Sequence, residues 1–303
     1  MKLFKFFHLI RVHQWIKNVF VFVPLLFSLN LFYEDYFITT LFAFLIFCLA
    51  SSAIYVINDL VDIESDRVHP VKRNRPLPSG AISKQTAIIT ASLLLVFVFW
   101  FMMYFNTYFI AFVIAFVVLN VLYSFWLKNI VLLDVFSIAA GFSIRVLAGA
   151  FVIQVPISSW LILTTMFISL FLGVMKRRSE LVLVADNFNQ KSETTDQSGL
   201  QSRKVLAQYS LNFSDQMATI AATGVIVCYA LYTVAPRTVS AFSTERLIYT
   251  TPFVVFGIFR FMYLEYISGK GENTTRTLAT DLPLIINLFL YVTATIVVIY
   301  KLI

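Results

Sequence analysis

The sequence predicts an all-α, polytopic membrane protein of nine helices, and three observations carry that prediction. Hydrophobic residues make up 59% of the 303-residue chain and charged ones only 13%, with a mean hydropathy of +0.84. Such a balance excludes an ordinary soluble domain. Long stretches are free of charge altogether: Lys17 to Glu34, Asp35 to Asp59, Lys84 to Lys128 and Arg145 to Lys176. The intervals are of the scale of a membrane-crossing helix, about 20 apolar residues, and the one from Lys84 to Lys128 is long enough for two. The remaining charges fall almost entirely in alternate connections.

The elements follow in order. A first helix over 14–32 carries Pro24 and, with no small-residue cleavage site behind it, reads as a retained helix and not a signal peptide. The second, 36–57, ends at a run of acids. The interval from Lys84 to Lys128 holds two helices, 86–105 and 107–126, turning near Asn106 and Thr107. The fifth, 131–153, opens at Asp134, and the sixth, 157–175, closes on Lys176, Arg177 and Arg178. After a polar stretch over 176–213 come 214–235, 247–267 and 281–301. The chain reads as one integral membrane domain over 1–303. With the N-terminus inside, 18 of the 23 Lys and Arg fall in cytoplasmic segments. Only Arg237, Arg246 and Lys301 lie outside, while Arg145 and Arg260 fall within helices. This bias predicts a cell-membrane protein whose charged loops, and active face, meet the cytoplasm. Cytoplasmic anchoring and anionic substrates account for the net charge of +7 without nucleic acid. Cys48 and Cys228 fall inside helices, with neither metal spacing nor a disulfide framework, and read as packing residues. No histidine is assigned a catalytic role.

The chemistry concentrates at helix ends. Asn58 to Asp66 reads N-D-L-V-D-I-E-S-D. At about 100° per residue Asn58, Asp59, Asp62 and Asp66 share a helix face, while Glu64 points elsewhere. Like charges this close repel and call for a cation. Oxygen donors with little else around them suit Mg²⁺, which keeps few protein ligands and fills its shell with water and phosphate. Arg67, Lys72, Arg73 and Arg75 follow directly, a basic run suited to a polyphosphate. The alternative is a solvated loop of mixed charge, which would not place acids at helical spacing.

A second group comprises Tyr123, Ser124, Lys128, Asp134 and Arg145. Asp134 and Arg145 are eleven residues apart and share a face, so they form either part of a polar cavity or a structural ion pair. Lys176, Arg177 and Glu180 form a third group, and Arg11, Gln14, Trp15, Lys17 and Asn18 a weaker fourth. Trp15 alone reads as an interface anchor.

N-D-x-x-D-x-x-x-D at the end of the second of nine helices resembles the UbiA superfamily of intramembrane prenyltransferases. Four further stretches are similar to its decaprenyl-phosphate phosphoribosyltransferase branch: R-V-H-Q-W-I-K-N-V-F-V-F-V-P at 11–24, D-R-V-H-P-V-K-R-N-R-P-L-P-S-G at 66–80, L-D-V at 133–135 with I-R-V-L-A-G at 144–149, and G-V-M-K-R-R-S-E-L at 173–181. Weaker echoes lie at 203–209, and at 269–272 with Asp281. The chain departs from the prenyltransferase pattern at the second D-x-x-x-D, where Ile138 follows Asp134 by four, and at Lys128-Asn129 in place of a lysine-arginine pair.

The resemblance implies a UbiA-type bundle using Mg²⁺ to transfer 5-phosphoribose from phosphoribosyl diphosphate to a polyprenyl phosphate, as in building lipid-linked sugars of the cell envelope. Asn58, Asp62 and Asp66, with Asp59 nearby, would hold the metal, and Asp134 either metal or ribose hydroxyls. Arg67, Lys72, Arg73 and Arg75 would hold phosphate oxygens. Lys17, Tyr123, Lys128, Arg145, Lys176, Arg177 and Glu180 would position the substrates. The alternative activity is prenyl transfer from a prenyl diphosphate to an aromatic or other small acceptor. A carrier or channel fits least, because most ionisable residues sit at helix ends and no repeat is evident.

Overall fold

The computed structural model describes residues 2–68, 72–190, 208–267 and 280–302. His69 and the echoes at 203–207 and 269–272 lie outside the described residues. Within them the chain is helical without a strand. Among the described residues, eight helices are long and apolar enough to cross a membrane.

The predicted first helix departs most from expectation. Short helix α1 (Lys2–Leu9) is followed by an eleven-residue 3₁₀ segment, Val12–Phe22, and a single turn, α2 (Val23–Leu26), with Pro24 at its start. At about 2.0 Å per residue the 3₁₀ segment extends roughly 22 Å, so a short sequence covers much of the bundle. Its tight winding is held by packing on neighbouring helices, including a close approach at Gly149. A Cβ there would overlap the Val21 carbonyl oxygen.

Helix α3 (Glu34–Val61) carries the acids to its end, and α4 (Ile63–Val68) continues beyond a break at Asp62. Helices α5 (Lys84–Met102) and α6 (Thr107–Phe125) turn where predicted. Ser83 and Asn106 cap them by accepting from Thr86 N and from Phe109 N, each such cap contributing about 1 kcal/mol. Helix α7 spans Leu133–Val152. Helix α8 spans Ser159–Gln190 and so runs on through Lys176–Glu180. No Gly or Pro occurs between Val174 and Gln190 to stop it, so Arg177 sits inside a helix and not at its close. Helix α9 (Leu211–Val234), capped by Ser210, leads to short α10 (Pro236–Phe242). A 3₁₀ turn, Arg246–Thr250, precedes α11 (Thr251–Tyr266), and α12 (Leu282–Ile299) is capped by Asp281.

Helices α3 and α7 are the most enclosed spans, whereas α5, α6, α11 and α12 turn much of their surface outward. Between helices in lipid the hydrophobic drive is weak, so association rests on close packing. Ala43, Ala50, Ala148, Val21, Phe47, Phe109 and Phe116 build one such core, in which the Phe47 and Phe116 rings meet edge to face at 5.1 Å. Cys48 and Cys228 are buried and unpaired to each other. Ion pairs join Asp62 at the end of α3 to Lys128 beyond α6, Asp134 at the start of α7 to Arg177 of α8, and Arg178 of α8 to Asp215 of α9. Helix α3 also carries Asp59 in its last turn and α7 carries Asp134 in its first, while Glu34 and Asp35 open α3 at its other end.

Candidate active site

At the α3–α4 junction the helix breaks without losing register. Asp62 N donates to the Asn58 carbonyl at 2.9 Å and Asp66 N to the Asp62 carbonyl at 2.8 Å. Asn58, Asp62 and Asp66 therefore keep the common face that the spacing predicts, and the Asn58 amide donates to Asp62 at 3.1 Å. Cations converge on the acids from three segments. Asp59 pairs with Arg11 and, at 3.2 Å, with Arg75. Asp66 pairs with Arg75 at 2.6 Å and lies 3.9 Å from Lys72 Nζ. Lys128, sixty-six residues on from Asp62, reaches it at 2.5 Å. Arg11 gets there through a left-handed backbone conformation, φ 50°, ψ 50°, at a typical cost of about 1–2 kcal/mol for a non-glycine residue. Of the basic run, Arg67 turns away to an exposed pair with Glu64 at 3.1 Å, and Arg73 is exposed. Arg67 is thus not brought to the acids.

The second acidic position is organised differently. Asp134 is fully buried and accepts from Arg177 Nε at 2.5 Å and from the Tyr209 hydroxyl at 2.7 Å. Arg177, also fully buried, places its two terminal nitrogens on Glu180 at 2.5 Å and on the Tyr123 hydroxyl at 3.0 Å. The Tyr209 hydroxyl in turn accepts from Leu132 N at 2.9 Å. Burial, then the hydrogen bond to Asp134, pushes the Tyr209 phenol up to about 12, so it stays a donor near neutral pH. Tyr123 and Lys128 flank the end of α6, so one short stretch joins this network to Asp62.

Asp134 and Arg145 do not pair. Eleven residues of helix separate them by roughly 16 Å along the axis, and each has closer partners. Arg145 donates to Asn18 Oδ1 at 2.6 Å and to the Gly141 carbonyl at 2.9 Å, with its guanidinium 4.4 Å from the centre of the Phe116 ring. It wedges the 3₁₀ segment against α3 and α7, inside the bundle. Lys17 is half-buried next to Asn18, and Lys176 is exposed. Trp15, expected at a membrane interface, donates to Ser52 at 3.0 Å. Arg11, Trp15 and Asn18 thereby meet Asp59, Ser52 and Ser51 in antiparallel order along α3.

Of the residues paired with the acids, Arg11 and Tyr209 escaped the sequence-based choice of site residues. Arg11 stood only in a weak N-terminal group, its signal being the R-V-H-Q-W-I-K-N stretch. Tyr209 closes the 203–209 echo, and nothing in its spacing points to Asp134.

A profile of the UbiA prenyltransferase family matches residues 21–274. The chain belongs to that family. It is 34% identical over 241 residues to the decaprenyl-phosphate phosphoribosyltransferase of Mycolicibacterium smegmatis, covering 78% of this chain and 70% of that one. The enzyme of the same name from Mycobacterium tuberculosis H37Rv is 30% identical over 227 residues, covering 74% and 72%. A UbiA homolog from Archaeoglobus fulgidus, solved with GPP and Mg²⁺, superposes with a TM-score of 0.69 at 15% identity, covering 98% of this chain and 99% of that one. The fold is therefore the UbiA fold, and this family member is a membrane-embedded transferase.

Among the described residues no three His, Cys, Asp or Glu side chains converge as a ready metal cage. Asp62 and Asp66, with Asn58, supply oxygen donors on one face. That set fits Mg²⁺, which commonly takes one or two carboxylates and completes its octahedron with phosphate and water.

Proposed function

We propose that this UbiA family member transfers 5-phosphoribose from phosphoribosyl diphosphate to a polyprenyl phosphate and releases diphosphate, on the cytoplasmic side of the cell membrane. The observation that carries the reading is the convergence of Arg11, Lys72, Arg75 and Lys128 on Asp59, Asp62 and Asp66. A phosphoribosyl donor carries a 5-phosphate besides its diphosphate and calls for more cations than a prenyl diphosphate does. Ile138, standing where prenyltransferases have a second carboxylate, supports the same donor, as do the names of the mycobacterial relatives.

In the proposed step an oxygen of the acceptor phosphate bonds to C1 of the ribose as the bond from C1 to the diphosphate oxygen breaks, and diphosphate leaves with the electron pair. The acceptor is already an anion near neutral pH, so no strong base is needed. Asn58, Asp62 and Asp66 would hold Mg²⁺, which supplies charge neutralisation at the departing diphosphate. Arg75, Lys72 and Lys128 have partly exposed side chains, 29%, 23% and 12%, and can exchange carboxylate for phosphate oxygens without being drawn from a sealed core. Arg75 is suited to a two-point grip on phosphate. Asp59, buried behind them, would anchor Arg11 and Arg75. The polyprenyl tail would lie along the apolar helices, with the domain spanning 1–303.

The test is incubation of purified protein with Mg²⁺, phosphoribosyl diphosphate and a polyprenyl phosphate, with the lipid product identified by mass. A product heavier by one phosphoribosyl unit is expected. A prenylated aromatic product from a prenyl diphosphate, without reaction of phosphoribosyl diphosphate, would overturn the reading in favour of prenyl transfer. The orientation has its own test. Ser79 and Ser243 are both exposed, and the five candidate spans between them put them on opposite sides in the proposed topology. In a background lacking Cys48 and Cys228, an impermeant thiol reagent on intact cells is expected to label Ser243→Cys and spare Ser79→Cys; the reverse pattern inverts the topology.

A further inference from the structure

The two acidic groups of this site are held by cations of opposite character. Around the α3–α4 acids every cationic partner keeps part of its side chain open, from 12% for Lys128 to 29% for Arg75. Around Asp134 nothing is open: its side chain and that of Arg177 are both 0% exposed. Each Asp134 oxygen is engaged, Oδ2 by Arg177 and Oδ1 by Tyr209, and no part of the carboxylate faces open space for a further donor or metal. The guanidinium is equally committed, with Asp134, Glu180 and Tyr123 on its three nitrogens. Tyr209 is itself fixed by Leu132 N, from a residue with φ 69° at the start of α7. A group that ligates metal or accepts from ribose must present a lone pair to the substrate, and taking Asp134 for that purpose would strand a sealed arginine.

We propose that Asp134 is a positioning residue and not a metal ligand: together with Tyr209 it fixes Arg177, which holds the partly exposed Glu180 carboxylate and Tyr123 hydroxyl at the rim of the site. Tyr123 lies five residues before Lys128, whose ammonium reaches Asp62. A disturbance at Asp134 therefore arrives at the diphosphate end through the last turn of α6, as a displaced contact and not as a lost metal ligand. The inference rests on the proposed reading only in placing the metal-diphosphate site at α3–α4.

The test measures metal directly. Mn²⁺ binding to the purified full chain in detergent is followed by electron paramagnetic resonance in the presence of inorganic diphosphate, for the unaltered protein, Asp62→Asn, Asp134→Asn and Tyr209→Phe. Asp62→Asn is expected to weaken Mn²⁺ binding at least about tenfold, and Asp134→Asn and Tyr209→Phe by less than about twofold. Loss of an outer-shell partner of a true ligand typically costs about 10–100-fold in affinity, so Tyr209→Phe discriminates even where Asp134→Asn does not fold. In turnover, Asp134→Asn and Arg177→Lys are expected to lower kcat without raising the Mg²⁺ concentration needed for half-maximal rate. Their double variant should be no slower than the worse single one, as for residues acting as a unit. Weakening of Mn²⁺ by Asp134→Asn or Tyr209→Phe to the extent of Asp62→Asn overturns the proposal. If the unaltered protein bound no Mn²⁺ with diphosphate, the α3–α4 site assignment would fall and this inference with it. If only the Asp134 and Tyr209 results went wrong, the site would stand and this inference alone would fall.

Discussion

Asp62→Ala or Asp66→Ala is expected to lower turnover at least about a hundredfold, with the protein still folded. Removing one preorganised electrostatic stabiliser typically costs about 10²–10³ in kcat, and each of these carboxylates serves twice. Each is a proposed metal donor, and each holds a cation in place: Lys128 on Asp62, Arg75 and Lys72 on Asp66. Folding should survive better at Asp62, whose side chain is 23% exposed, than at Asp66 at 3%. The informative comparison is therefore Asp62→Ala against Glu64→Ala. Glu64 lies two residues away on the outer face, and among the described residues it pairs with exposed Arg67 and Lys84. Surface pairs contribute about 0–1 kcal/mol, so Glu64→Ala should leave turnover and stability nearly unchanged. Near-normal turnover by folded Asp62→Ala protein would remove the metal assignment.

The contrast between Asp62 and Asp134 also marks what the sequence can and cannot carry. The common face of Asn58, Asp62 and Asp66 is a local property, fixed by helical period, and it survives the break at Asp62 because the backbone hydrogen bonds step across it. The same is true of the turn at Asn106, where a capping side chain and an uncharged interval coincide. Which cation meets which acid is not local. Lys128 reaches Asp62 and Arg177 reaches Asp134 because α6, α7 and α8 end side by side, and no spacing within one helix encodes that. Arg145 illustrates the limit. A shared face left a pair with Asp134 open as one of two readings, but sharing a face at eleven residues leaves a gap no side chain closes, and Asn18 of the 3₁₀ segment is nearer. The 3₁₀ segment itself was hidden because apolar composition alone does not distinguish 2.0 Å from 1.5 Å of rise per residue. Its winding depends on packing against α7 at Gly149, a contact made between distant parts of the chain.

Arg177→Met should be the most damaging single change to stability in the candidate site. It removes the only cation on Asp134 among its described contacts and leaves that carboxylate sealed with a single hydroxyl partner. Breaking a buried ion pair from one side typically costs about 3–5 kcal/mol, most of it the penalty of the stranded charge. Glu180 loses a partner as well, but 27% of its side chain is exposed, so water offsets that loss. The measurement is unfolding of the detergent-solubilised protein against Arg67→Met as control, where an exposed i,i+3 pair with Glu64 is lost and a change below about 1 kcal/mol is expected. The stranded-charge argument makes a further demand. Replacing both partners, in Asp134→Leu with Arg177→Met, should be less destabilising than Arg177→Met alone, because an apolar pair of similar volume carries no uncompensated charge. A double variant destabilised by the sum of the two single changes would show that the cost lies in packing and not in the buried charge.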